Sequence, residues 1–80
     1  MAVETGHPFN WAAERERLRT SRRRAEELAA AGDPIAGLES LLAGLVQAIR
    51  SVEERRPGAR LMADRWREAV ETYRREHPLR

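Results

Sequence analysis

The 80-residue chain contains no cysteine and no lysine, and its aromatic residues are two Trp, one Tyr and one Phe. The absence of cysteine excludes disulfides, thiolate metal sites and thiol catalysis. Alternation of apolar and polar residues is also missing, which excludes a sheet-based fold. All fifteen basic residues are arginine. Arginine binds carboxylates and phosphates in a bidentate way, but a bias toward GC-rich codons gives the same composition.

Length and charge indicate one small folded domain. Charged residues make up 35% of the chain and hydrophobic residues 41%, with a formal net charge of +2, which is typical of a helical protein rather than a disordered one. The first ten residues lack the basic start and apolar run of a secretory signal. Glu39 and Ser40 interrupt the best apolar run, so no membrane span is expected. We therefore predict a cytoplasmic location.

Capping signals divide the chain into three helices. Asn10 and Asp33 are predicted N-caps, Gly32 closes the first helix, and Pro57-Gly58 ends the second. These signals predict helices at about 11–31, 34–56 and 59–76 within one domain (10–77), preceded by an extended leader (1–9) and followed by a short tail (78–80). Short connections force neighbouring helices to run antiparallel. The predicted fold is all-α, an up-down-up bundle of three helices.

The central predicted helix has two apolar sides of different character. Its large aliphatic residues cover an arc of about 140°, and they are Ile35, Leu38, Leu41, Leu42, Leu45, Val46, Ile49 and Val52. The adjoining arc, called the small arc, carries only residues with small side chains, and they are Gly37, Ser40, Gly44, Ala48 and Ser51. We interpret the small arc as the side that packs within the protomer.

The neighbouring helices offer too little apolar surface to cover both arcs. The first helix supplies a narrow stripe of Trp11, Leu18, Ala25 and Ala29, and the third supplies Met62, Trp66, Ala69, Val70 and Tyr73. An uncovered aliphatic face on a small protein usually marks an interface. We therefore predict a homodimer, or the binding of a partner helix, through Ile35, Leu38, Leu42, Leu45, Val46 and Ile49.

The same patterns argue against an enzyme. His7 and His77 are predicted at opposite ends of the bundle, no Glu-x-x-His motif occurs, and no glycine-rich phosphate loop occurs. We expect no catalytic residue, cofactor, metal or small-molecule substrate. The predicted function is a small interaction or regulatory module.

The alternative function depends on the arginine-rich run at residues 15–24. Arg15, Arg19, Arg22 and Arg23 follow one flank of the first helix, and such a stripe can neutralise phosphates of RNA or DNA. Glu16, Glu26 and Glu27 lie nearby, so a solvated charged face explains the same pattern.

Two short segments resemble known families. The run G-L-E-S-L-L-A-G-L-V-Q-A-I (37–49) is similar to the phosphopantetheine attachment site of acyl carrier proteins, which implies, as a remote alternative, a carrier-like protein modified at Ser40. The run A-E-E-L-A-A-A-G-D-P-I-A-G-L (25–38) resembles the turn of a tetratricopeptide-type hairpin, which implies only an antiparallel pair of helices.

Overall fold

A computed structural model describes residues 10–79 and contains three helices. They are α1 (Trp11–Ala30), α2 (Pro34–Glu53) and α3 (Ala59–Glu76). No strand occurs among the described residues, and the helices pack against one another as a bundle. The predicted all-α helical bundle is therefore confirmed. The predicted leader (1–9) and the last residue of the tail lie outside the described residues.

The predicted N-caps are present at α1 and α2. The Asn10 side chain accepts a hydrogen bond from the Ala13 N–H at 3.0 Å, and Asp33 accepts one from the Ala36 N–H at 3.1 Å. Each bond satisfies a backbone donor that the first turn of a helix leaves unpaired. Gly32 follows α1 with φ 93°, a left-handed conformation that glycine adopts without strain.

The end of α2 differs from the prediction, because the helix stops at Glu53 rather than Arg56. Arg55 adopts φ 60°; its N–H donates to the Val52 carbonyl at 2.9 Å, and the Arg56 N–H donates to the Ser51 carbonyl at 3.1 Å. This pair of bonds is the Schellman closure usually built around glycine. The stop therefore precedes Pro57-Gly58, to which the sequence pattern assigned it.

The core is dominated by α3. Met62 and Trp66 are 1% exposed and Tyr73 is 2% exposed, on the apolar face that the spacing predicted. The other helices contribute smaller surfaces, chiefly Leu41 and Ala48 from α2, with Ala25 as the only buried residue of α1. The rest of the α1 stripe is half-buried, as expected for the least apolar of the three helices.

The small side of α2 faces inward and allows α3 to approach closely. A Cβ placed on Gly44 would lie 2.8 Å from Trp66 Cε3 and closer still to other atoms of the indole ring. A Cβ on Gly37 would lie 2.7 Å from the Ala25 carbonyl oxygen and would also overlap the Tyr73 side chain. These glycines are therefore required by packing, since both lie inside a regular helix.

We expect Gly44→Ala to lower the free energy of unfolding by about 1–3 kcal/mol, because the indole ring must move to admit a methyl group. Alanine normally favours a helix over glycine by about 1 kcal/mol, so the predicted sign is the reverse of the intrinsic preference. Urea denaturation measures the change. Ala43→Gly, at the neighbouring exposed position, is the control and should cost about 1 kcal/mol. A stabilised Gly44→Ala protein would contradict the packing.

Candidate functional site

The large aliphatic residues of α2 form its outer face, defined here as the six predicted interface residues. Four of them are substantially exposed: Ile35 (59%), Leu42 (39%), Val46 (49%) and Ile49 (45%). Leu38 and Leu45 are half-buried and pack against the core, at the boundary with α3. The helix therefore turns half of its eight large aliphatic side chains away from the protomer's interior.

The apolar residues along this side repeat in a heptad pattern. Ile35, Leu38, Leu42, Leu45, Ile49 and Val52 are separated alternately by three and four residues, the spacing of the seam between helices of a coiled coil. Val52 is half-buried like Leu38 and Leu45. In this pattern the more exposed members (35, 42 and 49) alternate with the more buried ones (38, 45 and 52).

The outer face borders a groove against α3. At one end Leu45, Ile49 and Val52 of α2 face Ala63, with Arg60, Asp64 and Arg67 at the edge. At the other end Leu38 and Leu42 face Val70, with Glu71, Arg74, Arg75, Pro78 and Leu79 at the edge, and the open volume is about 660 Å³. The groove therefore has an apolar floor, and its α3 edge alternates in charge from Arg60 through Asp64 and Arg67 to Glu71, after which Arg74 and Arg75 follow.

Only three of the four arginines in the predicted stripe lie together in one groove. Arg15, Arg19 and Arg22 of α1 join Arg65 of α3 around Leu18 in a shallow groove, whereas Arg23 lies outside it. Arg19 also pairs with Glu16 at 2.9 Å. Arg65 could not be assigned to this group from sequence, because only the packing of α3 against α1 brings it there.

A cluster of three side chains that the sequence did not predict links the end of α3 to α1. His77 Nε2 lies 2.8 Å from Glu26 Oε1, and Glu76 places a carboxylate oxygen within 4.8 Å of both. An imidazole with two carboxylates is a donor set that zinc accepts. Both carboxylates are exposed, and the His77–Glu26 hydrogen bond alone accounts for their closeness. Residues 51 positions apart carry no local signal of such a pairing.

Tyr73 fastens α3 to the first residue of α2. Its hydroxyl donates a hydrogen bond to the Pro34 carbonyl oxygen at 2.7 Å, and its ring lies 4.6 Å from that of His77. Burial raises the pKa of the Tyr73 hydroxyl above its usual value of 10.0, and the carboxylates of Glu26 and Asp33 raise it further. Folding therefore favours the neutral phenol.

We expect the protein to lose stability as the pH rises above 10.0, the usual pKa of a tyrosine hydroxyl. The unfolded chain ionises there while the folded chain resists ionisation, so the contribution is complete below that pH and disappears as the pH passes the raised folded value. Tyr73 is the only tyrosine, so tyrosinate absorbance reports it alone. Tyr73→Phe should remove this alkaline dependence and, by losing one hydrogen bond, about 1 kcal/mol at neutral pH. An unshifted tyrosinate titration in the folded protein would contradict it.

By length and composition alone, α2 is apolar enough to cross a membrane. The same criterion is met by core helices of globular proteins, and it marks only one helix among residues 10–79. The apolar character of α2 therefore does not distinguish between a lipid environment and a protein partner for the outer face.

Comparison of the chain with protein-family models, with curated proteins and with solved structures finds no match. The carrier resemblance therefore depends on its short motif, in which the modified serine should open a helix. Ser40 instead lies in the second turn of α2 and is half-buried. Function has to be argued from the surfaces of this chain.

Proposed function

We propose that the protein is a non-enzymatic interaction or regulatory module that forms a homodimer through the outer face of α2. The observation that carries the proposal is the exposure of Ile35, Leu42, Val46 and Ile49 on one side of a single helix. Covering a half-exposed aliphatic side chain contributes roughly 1 kcal/mol, and a symmetric dimer covers one set of these side chains from each protomer. The heptad spacing supports a helix as the surface that covers them.

We also infer that the three helices alternate in direction, as in an up-down-up bundle. Three contacts support this arrangement. The start of α3 lies beside the start of α1, where a Cβ on Gly58 would meet Trp11 Nε1 at 2.8 Å. Tyr73, near the end of α3, reaches Pro34 at the start of α2. Gly37 in α2 lies against Ala25 in the second half of α1.

A cytoplasmic location and a protein partner are favoured over a lipid one by the other side of α2. Gly44 and Gly37 hold α3 at close range, and α3 carries charged residues along both of its flanks. Insertion of α2 alone into a bilayer would separate it from Trp66 and Tyr73 and expose their partners. The outer face is therefore better matched to a second bundle.

We expect Leu42→Glu to weaken self-association by more than about 100-fold, because burying an unpaired carboxylate costs several kcal/mol. Sedimentation equilibrium over a range of concentrations measures the dimer constant. Gln47→Glu introduces the same charge at another exposed position of α2, away from the outer face, and should leave the constant nearly unchanged.

Circular dichroism should show that both variants keep their helices. A parent chain that stays monomeric at every concentration would overturn the proposed function. A parent chain that binds neutral phosphatidylcholine vesicles instead of itself would assign the outer face to lipid.

A second candidate function, binding to the phosphate backbone of RNA or DNA, is favoured by one observation. Arg65 of α3 joins Arg15, Arg19 and Arg22 of α1 in the same groove. Arginines from two helices on one groove can contact successive phosphates, which a single solvated stripe does less well.

If this groove binds nucleic acid, Arg22→Gln/Arg65→Gln should weaken binding of a mixed-sequence oligonucleotide and reduce the salt slope by about 1–2. Arg23→Gln/Arg24→Gln removes the same charge from exposed positions outside the groove and should have a smaller effect. Fluorescence anisotropy at several salt concentrations measures both. Equal losses in the two variants would indicate unspecific charge attraction, and no binding at low salt would remove this candidate.

A further inference from the structure

We propose that the second copy docks antiparallel on the outer face of α2, about a two-fold axis passing between Leu42 and Leu45. This inference rests on the proposed homodimer and specifies its symmetry and register. Three separate residue patterns support it: the heptad seam of α2, the charged edge of α3, and a pair of exposed charges on the flank of α2 beside the outer face.

The heptad seam maps onto itself when it is reversed about this axis. Its spacing of three, four, three, four and three residues reads the same in both directions. The reversal places Ile35 against the partner's Val52, Leu38 against the partner's Ile49, and Leu42 against the partner's Leu45. Each layer then joins a more exposed residue to a more buried one, so that no layer is crowded and none is empty.

The charged edge of α3 becomes complementary in the same arrangement. Reversal of the four alternating charges from Arg60 to Glu71 about residues 65–66 sets Arg60 opposite the partner's Glu71 and Asp64 opposite the partner's Arg67, and leaves Arg74 and Arg75 beyond the pattern. Asp64 and Arg67 already form an ion pair at 2.9 Å within one chain, so two copies would form one continuous network.

The contact between Gly44 and Trp66 connects the two patterns. It places the midpoint of the α2 seam, between residues 42 and 45, near the same height in the bundle as the midpoint of the Arg60–Glu71 segment of α3. A single two-fold axis can therefore satisfy both helices at once, which independent patterns would meet only by coincidence.

The third pattern is the pair formed by Glu39 and Arg50. Both side chains are exposed, and within residues 10–79 neither has an ion-pair partner. Their midpoint lies within about one residue of the same axis, so Glu39 meets the partner's Arg50 on each side of it. A parallel dimer would instead place the two copies of Glu39, and likewise the two copies of Arg50, on opposite flanks of the seam, so that neither charge would meet an opposite one.

Charge exchange tests the register. Glu39→Arg and Arg50→Glu should each weaken the dimer about tenfold, since each creates two like-charge contacts. The double variant restores opposite charges and should return to within about twofold of the parent. Glu27→Arg and Arg23→Glu change the charge identically at exposed positions of α1 and should leave the dimer unchanged. Two single losses that add in the double variant would overturn the proposal.

Disulfide trapping gives an independent readout, because the chain has no cysteine of its own. An equimolar mixture of Leu38→Cys and Ile49→Cys, which the proposed register sets opposite each other, should form a mixed disulfide dimer on mild oxidation, whereas neither variant should cross-link efficiently alone. If sedimentation shows a dimer but Leu38→Cys cross-links to itself, the helices are parallel and the register is wrong while the homodimer stands. If every variant and the parent are monomeric, both proposals fail.

Discussion

The structure depends on the close approach of Trp66 to Gly44. The chain has few large side chains for its core, and the largest of them comes from α3. The indole ring needs a recess in the neighbouring helix. Gly44 of α2 provides that recess, because glycine has no Cβ. Trp66 thereby buries its ring against a backbone rather than against another bulky side chain. In a domain of this size a single packed layer of this kind is most of the available core.

This constraint also determines which residues are left outside. Since the small side of α2 has to face α3, its larger aliphatic residues can only lie at the boundary or in water. Leu41 is the exception, at 1% exposure, because it falls between the two arcs. The exposure of the aliphatic residues of α2 is therefore a direct geometric result of the packing of its small residues against α3.

The two candidate surfaces lie on opposite flanks of α3. The groove beside the outer face uses Arg60, Asp64 and Arg67, whereas the arginine groove uses Arg65 and residues of α1. Residues on opposite flanks of one helix can act without steric conflict. Pairing of two bundles through α2 would thus leave the arginine groove accessible, and would present two such grooves in a single particle.

Much of the fold could be predicted from local signals. Asn10, Asp33 and Gly32 mark helix ends by their own chemistry, and the spacing of Met62, Trp66 and Tyr73 identifies the buried face of α3. The end of α2 could not be predicted, because Arg55 is no better suited to a left-handed conformation than its neighbours. Arg65 and the pairing of His77 with Glu26 depend on which helix flanks meet, and that information is not local.

The residues of the candidate site could be identified from the sequence, but their exposure depends on how the three helices pack. The small arc of α2 was predicted to face its neighbours, but nothing within α2 alone states how much of the adjoining aliphatic arc is then left uncovered. The recess needed by Trp66 decides that question, and it involves a residue 22 positions away from Gly44. The sequence was therefore informative about the surface only in combination with the third helix.

The hydrogen bond from Tyr73 to the Pro34 carbonyl has a consequence for biosynthesis. Pro34 begins the second helix, while Tyr73 is made 39 residues later. A nascent chain that has emerged only as far as α2 holds a hairpin with an unfilled recess on one side and an uncovered aliphatic stripe on the other. The recess stays empty until α3 leaves the ribosome. Folding of the core is thus tied to the synthesis of α3. A chain truncated before α3 would expose apolar residues on two faces of α2.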